Sequence, residues 1–211
     1  MIRTLLAAAL LVLAAAPFAH AGDRPGDFDF YVLSLSWSPT YCRQEDRPDA
    51  RQCGRNGPPG FVVHGLWPQR ERGWPSHCHT DTPYVPRSLL NSVRDLFPNP
   101  GLAASEWRKH GACTGLGPAD YFALVRKARG LVTIPDNLDG EDDPSSQGTE
   151  AIETAFAEAN PGLKADMIGV SCRDGALSEV RICMDRDLHF RACREIDRRA
   201  CHARRLSVPE N

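Results

Sequence analysis

Eight cysteines in a chain of 211 residues, every one of them after residue 41, constrain the possible fold more than any other feature of the sequence. They follow a leader made of Arg3, an apolar run from Leu5 to Ala16, Pro17 and the small-residue pattern Ala19-His20-Ala21. That order reads as a secretory signal peptide cut after Ala21. Its apolar run is shorter than the roughly 20 residues a membrane-spanning helix needs. An even number of cysteines in an exported chain implies disulfides and an oxidising compartment, the periplasm or the medium. The expected organisation is therefore a leader over 1–21 and one domain over 22–211, with no membrane contact once the leader is removed. A domain of that size can build a core that disulfides reinforce and do not replace.

Charge excludes one class of function. With the leader gone, 24 basic residues face 27 acidic ones, a formal charge of −3. A protein that holds nucleic acid chiefly by neutralising phosphates is strongly basic, so any action on nucleic acid has to come from a local site. The distribution is uneven: 136–150 carries six acidic residues and no basic one, whereas 186–205 carries seven arginines against three acidic residues. Such runs usually face water, and both are read as solvated surface.

Strand and helix patterns alternate along the chain. Residues 28–37, rich in aromatic and branched side chains and stopped by Pro39, predict a strand, as do 60–66. Apolar Leu89, Leu90, Val93, Leu96 and Phe97 predict a helix over 88–97 that ends at Pro98, and 103–113 and 119–128 predict two more. The stretch 135–148 is a polar acidic loop. Thr149 suits the N-cap of a helix reaching about Asn160 and closed by Pro161-Gly162. Two last strands, 167–172 and 178–184, flank a turn at Asp174-Gly175. The fold class is α+β, a central antiparallel sheet packed against several α-helices and stapled by disulfides.

Chemistry concentrates in two segments, Phe61-Val62-Val63-His64-Gly65-Leu66-Trp67-Pro68 and Ser105-Glu106-Trp107-Arg108-Lys109-His110-Gly111-Ala112-Cys113. On a helix, residues three and four apart share a face, so Glu106, Lys109 and His110 project together while Trp107 and Arg108 turn away, Trp107 toward the core. Alone, such a triplet is ordinary, because Glu–Lys and Glu–His pairs are common on exposed helices. His64 adds weight by its setting at a strand end, before Gly65, which allows close approach, and before the stiff, ring-bearing exit Trp67-Pro68. If Cys78 and Cys113 were bridged, the link would tie the segment after the first motif to the end of the second and hold two histidines across one cleft.

His-Gly-Leu-Trp-Pro followed by Glu-Trp-x-Lys-His-Gly-x-Cys resembles the pair of active-site signatures of the ribonuclease T2 family, secreted transferase-type endoribonucleases. Ser36-Trp37-Ser38-Pro39-Thr40-Tyr41-Cys42, Ile134-Pro135 and the closing cysteines are similar to further family landmarks, so the likeness spans almost the whole of 22–211. It implies the pairing Cys42–Cys53, Cys78–Cys113, Cys172–Cys201 and Cys183–Cys193, one of the 105 connectivities that eight cysteines allow. It also implies cleavage of RNA, mainly single-stranded, by a monomer that uses no metal and no cofactor.

The family chemistry suits these residues. One imidazole takes the proton of a ribose 2′-hydroxyl, the oxygen attacks the adjacent phosphorus, and a second imidazole protonates the departing 5′-oxygen. This leaves a 2′,3′-cyclic phosphate that is hydrolysed more slowly. Imidazole can serve as either partner because its reference pKa lies near 6.5. By resemblance His110 is the base, His64 the acid, and Lys109 and Glu106 flank the phosphorane. DNA, lacking the attacking hydroxyl, is excluded as a substrate. Trp67, and with it Trp74, offers a stacking surface for a base. Gln69 stands where some relatives carry a purine-reading aspartate, which predicts weak base preference. Ser105 stands where some carry a further histidine.

Two other readings compete. His77-Cys78-His79 with His110 and Cys113 could be a zinc site, although neighbouring strand residues point apart and an oxidised cysteine cannot ligate. A secreted binding protein that has lost catalysis is the other. Against it, none of the four catalytic positions is lost.

Overall fold

The structure, a computed structural model, describes residues 23–58, 60–138 and 147–209. The expected leader and most of the acidic loop lie outside the described residues. Four strands, β1 (Phe30–Trp37), β2 (Phe61–Gln69), β3 (Ile168–Arg173) and β4 (Ala176–Met184), form one antiparallel sheet in the order β2-β1-β4-β3. Seven α-helices accompany them among the described residues: α1 (Ser38–Gln44), α2 (Ala50–Cys53), α3 (Arg87–Ser92), α4 (Pro100–Lys109), α5 (Pro118–Gly130), α6 (Thr149–Ala159) and α7 (Arg194–Arg198).

Alternation along β1 explains the layers. Tyr31, Leu33, Leu35 and Trp37 enter the main core with Phe97, Trp107, Tyr121, Phe122, Ile152 and Phe156 from the helical side. Phe30 and Val32 turn to the other face, where a small cluster forms around Cys183 and Cys193 with Trp67 and Ile196 against it. Ser34 and Ser36 follow on that same second face, so part of the sheet is left polar and low. β3 and β4 meet at Asp174-Gly175, both at positive φ (49° and 76°), the backbone of a tight hairpin turn.

All four disulfides of the expected pairing are present, Cys42–Cys53, Cys78–Cys113, Cys172–Cys201 and Cys183–Cys193. Cys42–Cys53 joins α1 to α2, and the other three tie irregular or 3-10 segments to the sheet or to one another; the main core is built without them, as expected for a chain of this length.

Several boundaries differ from expectation. β2 runs on to Gln69 and so carries His64 in its interior, because Leu66, Trp67 and Pro68 keep pairing with β1. Regular α3 stops at Ser92, yet Val93, Leu96 and Phe97 still pack in the core; their burial, and not helicity, is what the apolar spacing reported. The N-cap of α6 is Gly148, and Thr149 Oγ1 instead donates to the Ala203 carbonyl at 3.3 Å. The arginine-rich stretch is more than solvated surface. The guanidinium of Arg186 lies 4.2 Å over Phe28, that of Arg191 lies 4.5 Å over Phe30, and Arg191 also pairs with Glu71. Their flat cationic groups cover ring faces that would otherwise meet water.

Candidate active site

The site begins with an irregularity in β2. Ser34 pairs with Gly65 and Leu35 with Val63, so the register skips His64. His64 is the extra residue of a β-bulge, a device that re-aims a side chain and locally breaks the ladder. The amide of Val63 turns away accordingly and donates to the Leu96 carbonyl at 3.1 Å. In a regular strand residues three apart lie on opposite faces, yet the rings of His64 and Trp67 meet edge to face with centroids 5.5 Å apart.

Gly65 completes this segment by what it lacks. A Cβ there would come within 2.2 Å of Glu106 Oε2 and 2.3 Å of Trp67 Nε1. Those two atoms need the space, since the Trp67 indole donates to Glu106 Oε2 at 2.7 Å.

The second segment arrives from α4. Glu106 and Trp107 are both buried, the first facing β2 and the second entering the core, where its indole donates to the Thr82 carbonyl. The helix ends at Lys109, one residue before His110, so the expected helix over 103–113 is shorter and the shared-face argument holds only for Glu106 and Lys109. His110 is the C-cap, its amide donating to the Glu106 carbonyl at 2.9 Å, and a 3-10 turn over Gly111–Thr114 follows. It is 4% exposed, its ring lies 5.2 Å from Trp67, and its Nδ1 is buried without a hydrogen-bond partner. Cys78–Cys113 fastens this corner, and His77 donates its amide to the Lys109 carbonyl at 2.9 Å.

Thus the two segments converge on Trp67, whose ring lies 5.5 Å from that of His64 and 5.2 Å from that of His110. His64 Nε2 stands 3.9 Å from Glu106 Oε1. His64 Nδ1 lies 2.5 Å from Oε1 of Glu179 on β4. Glu179 was not anticipated from the sequence, and neither was Arg181, whose Nε and Nη2 donate to Glu179 Oε2 at 3.0 and 2.7 Å. The only trace either leaves in sequence is a charged residue at alternate positions of β4, which also describes any strand with a wet face.

The two imidazoles sit in opposite electrostatic settings. Burial draws His64 down, but the hydrogen bond and charge of Glu179, joined by the charge of Glu106, outweigh burial and Arg181 and lift it above its ordinary 6.5. Burial pushes His110 down to about 3, with the positive charges of Lys109, His64 and His77 acting the same way. Glu106 is raised by burial, against the opposing pulls of His64, Trp67 and Lys109. Burial also works to raise Glu179, but the hydrogen bond and charge of His64 and the guanidinium of Arg181 prevail and hold it low. The two imidazoles are thus displaced in opposite directions, His110 downward and His64 upward, around one indole ring.

Two clefts flank this centre. One, of about 250 Å³, is lined by Trp67, Gln69, Trp74, Lys109, His110, Arg181, Ile196 and Arg199. It gathers the three side chains expected to hold a base, with Trp74 half-exposed and Gln69 buried. The other, of about 690 Å³, opens on the His64 side between α1, β3, β4 and the residues just after α7. The five proposed zinc ligands do not survive as a set, because Cys78 and Cys113 are joined to each other.

Comparison with known proteins agrees with this geometry. The model of the ribonuclease T2 family matches residues 28–193, which contain both segments. A ribonuclease of Aeromonas hydrophila is 39% identical over 110 residues, 52% of this chain. The chain spans about half the length of that relative, 49%. Ribonuclease DdI of Dictyostelium discoideum is 31% identical over 230 residues, covering 93% of this chain and 95% of its own. Among solved structures, RNase NT in complex with 5′-AMP superposes with a TM-score of 0.64 at 22% identity, over 88% of this chain and all of that one. The likeness is one of fold.

Proposed function

The chain belongs to the ribonuclease T2 family, and from that membership we propose that it is an endoribonuclease cleaving single-stranded RNA by transphosphorylation, with weak preference among bases. Neutral His110 takes the 2′-hydroxyl proton. The 2′-oxygen attacks phosphorus, and protonated His64 delivers a proton to the departing 5′-oxygen, giving a 2′,3′-cyclic phosphate and a free 5′-hydroxyl. In the slower second step water takes the place of the leaving oxygen and the two imidazoles exchange roles. Lys109 supplies positive charge beside His110 where the phosphorane gathers negative charge, and Glu106, held by Trp67, faces it from the His64 side.

The observation that carries this reading is that His64 and His110 both meet the Trp67 ring, one facing carboxylates and the other buried beside Lys109, since pairs of titratable groups whose surroundings differ in this way mark an acid and a base. The base of the nucleotide bearing the attacking hydroxyl fits the smaller cleft, stacked on Trp67 or Trp74 beside Gln69. The binding of 5′-AMP by RNase NT is in keeping with a nucleotide there. The leader-like start and the disulfides support export to the periplasm or beyond, and the family resemblance implies a monomer.

The test is chemical. Purified protein in EDTA is given a short RNA and its all-DNA counterpart, and the new termini are identified by mass. Cyclic-phosphate ends on RNA and intact DNA are the expected result. Cleavage only after metal is restored would overturn the two-histidine mechanism, and no cleavage under either condition would make this a binding protein on an enzyme scaffold.

A further inference from the structure

His64 and Glu179 belong to strands that do not touch. In the order β2-β1-β4-β3 they are separated by β1, a span of roughly 10 Å at the usual strand spacing. Three features let them meet. The bulge throws His64 off the regular ladder. Ser34 and Ser36, opposite Arg181 and Glu179 in register, are too short to stand between them. Arg181 grips the far oxygen of Glu179 and keeps the carboxylate extended toward β2. An ionised carboxylate only accepts hydrogen bonds, so the short contact requires a hydrogen on His64 Nδ1 and leaves Nε2 to face Glu106 and the reacting space.

We propose that Glu179, held by Arg181, is the positioning residue of His64: it fixes the ring across β1 with Nδ1 as the inward donor and Nε2 as the nitrogen that exchanges a proton with the leaving oxygen. This rests on the assignment of His64 as the acid, and it adds to that assignment a reason for the choice between two histidines. His110 has no such partner, its Nδ1 being buried and unpaired, and the asymmetry of the two rings follows from that difference. The raised titration of His64 agrees. Charged groups face His64 from every side: Glu179 and Arg181 from β4, Glu106 from α4 and His110 from its end, while Arg173, Arg199 and Glu45 line the cleft it opens on. Of these, Glu179 alone hydrogen-bonds the ring.

The experiment reads His64 directly. Full-length Glu179→Gln, with labelled histidines, is titrated by NMR without RNA, and its pH profile of kcat/KM is measured in parallel. The His64 titration should move down, the alkaline limb of the profile should follow it, and kcat should fall roughly ten- to a hundredfold with KM changed less than about threefold. Glu179→Asp should recover part of the titration shift. If Glu179→Gln does not fold, Glu179→Asp alone serves, and its His64 titration should still lie below that of the parent protein. A His64 titration unmoved in these variants overturns the proposal. Because the titration needs no substrate, it stands apart from whether the protein cuts RNA at all.

Discussion

At position 65 the chain can hold a hydrogen atom and little else, since a methyl group would overlap both ends of the Trp67–Glu106 hydrogen bond. Gly65→Ala should therefore cost about 1 to 3 kcal/mol of stability. Both obstructing atoms are side-chain tips, so the fold should survive while the indole and carboxyl separate, and the fractional loss of kcat/KM should exceed what the melting temperature suggests. Substitution of His64 or His110 by Ala should lower turnover by roughly 10² to 10⁴, the usual worth of an acid or base, with the fold retained; near-normal turnover would refute the roles. The wild-type rate should follow a bell. Its acid limb belongs to His110, which must be neutral and protonates at about 3, and its alkaline limb belongs to His64, which must be charged and titrates above 6.5. His64, Glu106, Lys109 and His110 were legible in sequence because each motif is short and keeps its spacing. Glu179 was not, because it lies 115 residues from its partner and is joined to it only by strand order.

The end of α4 shows how an element delivers a side chain. Helical geometry carries His110 onto the face of buried Glu106, one turn further along. There the helix stops, the next residues tighten into a 3-10 turn, and the Cys78–Cys113 bond draws the corner inward. The sequence pattern marked the helix and carried a stop signal in Gly111, one residue past the C-cap, but the expected span ran through it to 113. Replacing both cysteines by serine opens a loop with a separation of 35 residues, worth about 4 kcal/mol on the chain-entropy account. Calorimetry should find that loss together with a fall in kcat, because the freed corner carries His110. The equivalent pair of substitutions at Cys42 and Cys53, which pins α1 to α2, should cost stability with a smaller effect on kcat. Helices α1, α2 and α7 went unread because they are 7, 4 and 5 residues long, too short for periodicity to register.

For the molecule as a whole, the site carries a cost in stability that depends on pH. An unfolded histidine takes up its proton near 6.5, whereas His110 in the folded chain resists until about 3. Between those values the unfolded state binds the extra proton, so stability present above 6.5 is lost as pH falls through that window. His64 works in the reverse sense, its contribution full below 6.5 and lost as pH rises through its raised value. Thermal melts from pH 6.5 down to 4 should therefore decline less steeply in His110→Gln than in the parent protein. Overall composition carries one prediction: with 25 basic and 27 acidic residues, cleavage of a short RNA should depend only weakly on salt, as expected for about one or two phosphate contacts. It was a poor guide to the arginines, whose stacking on Phe28 and Phe30 is visible only once the sheet and its edges exist. The second face of the sheet owes its chemistry to one surplus residue in β2. Deleting His64 outright would let Gly65 and Val63 follow one another in unbroken pairing with Ser34 and Leu35, so the shortened chain should melt no lower than His64→Ala. A single codon lost or gained in β2 would then separate an inert, well-ordered scaffold from a catalyst, a step small enough for such folds to cross in either direction.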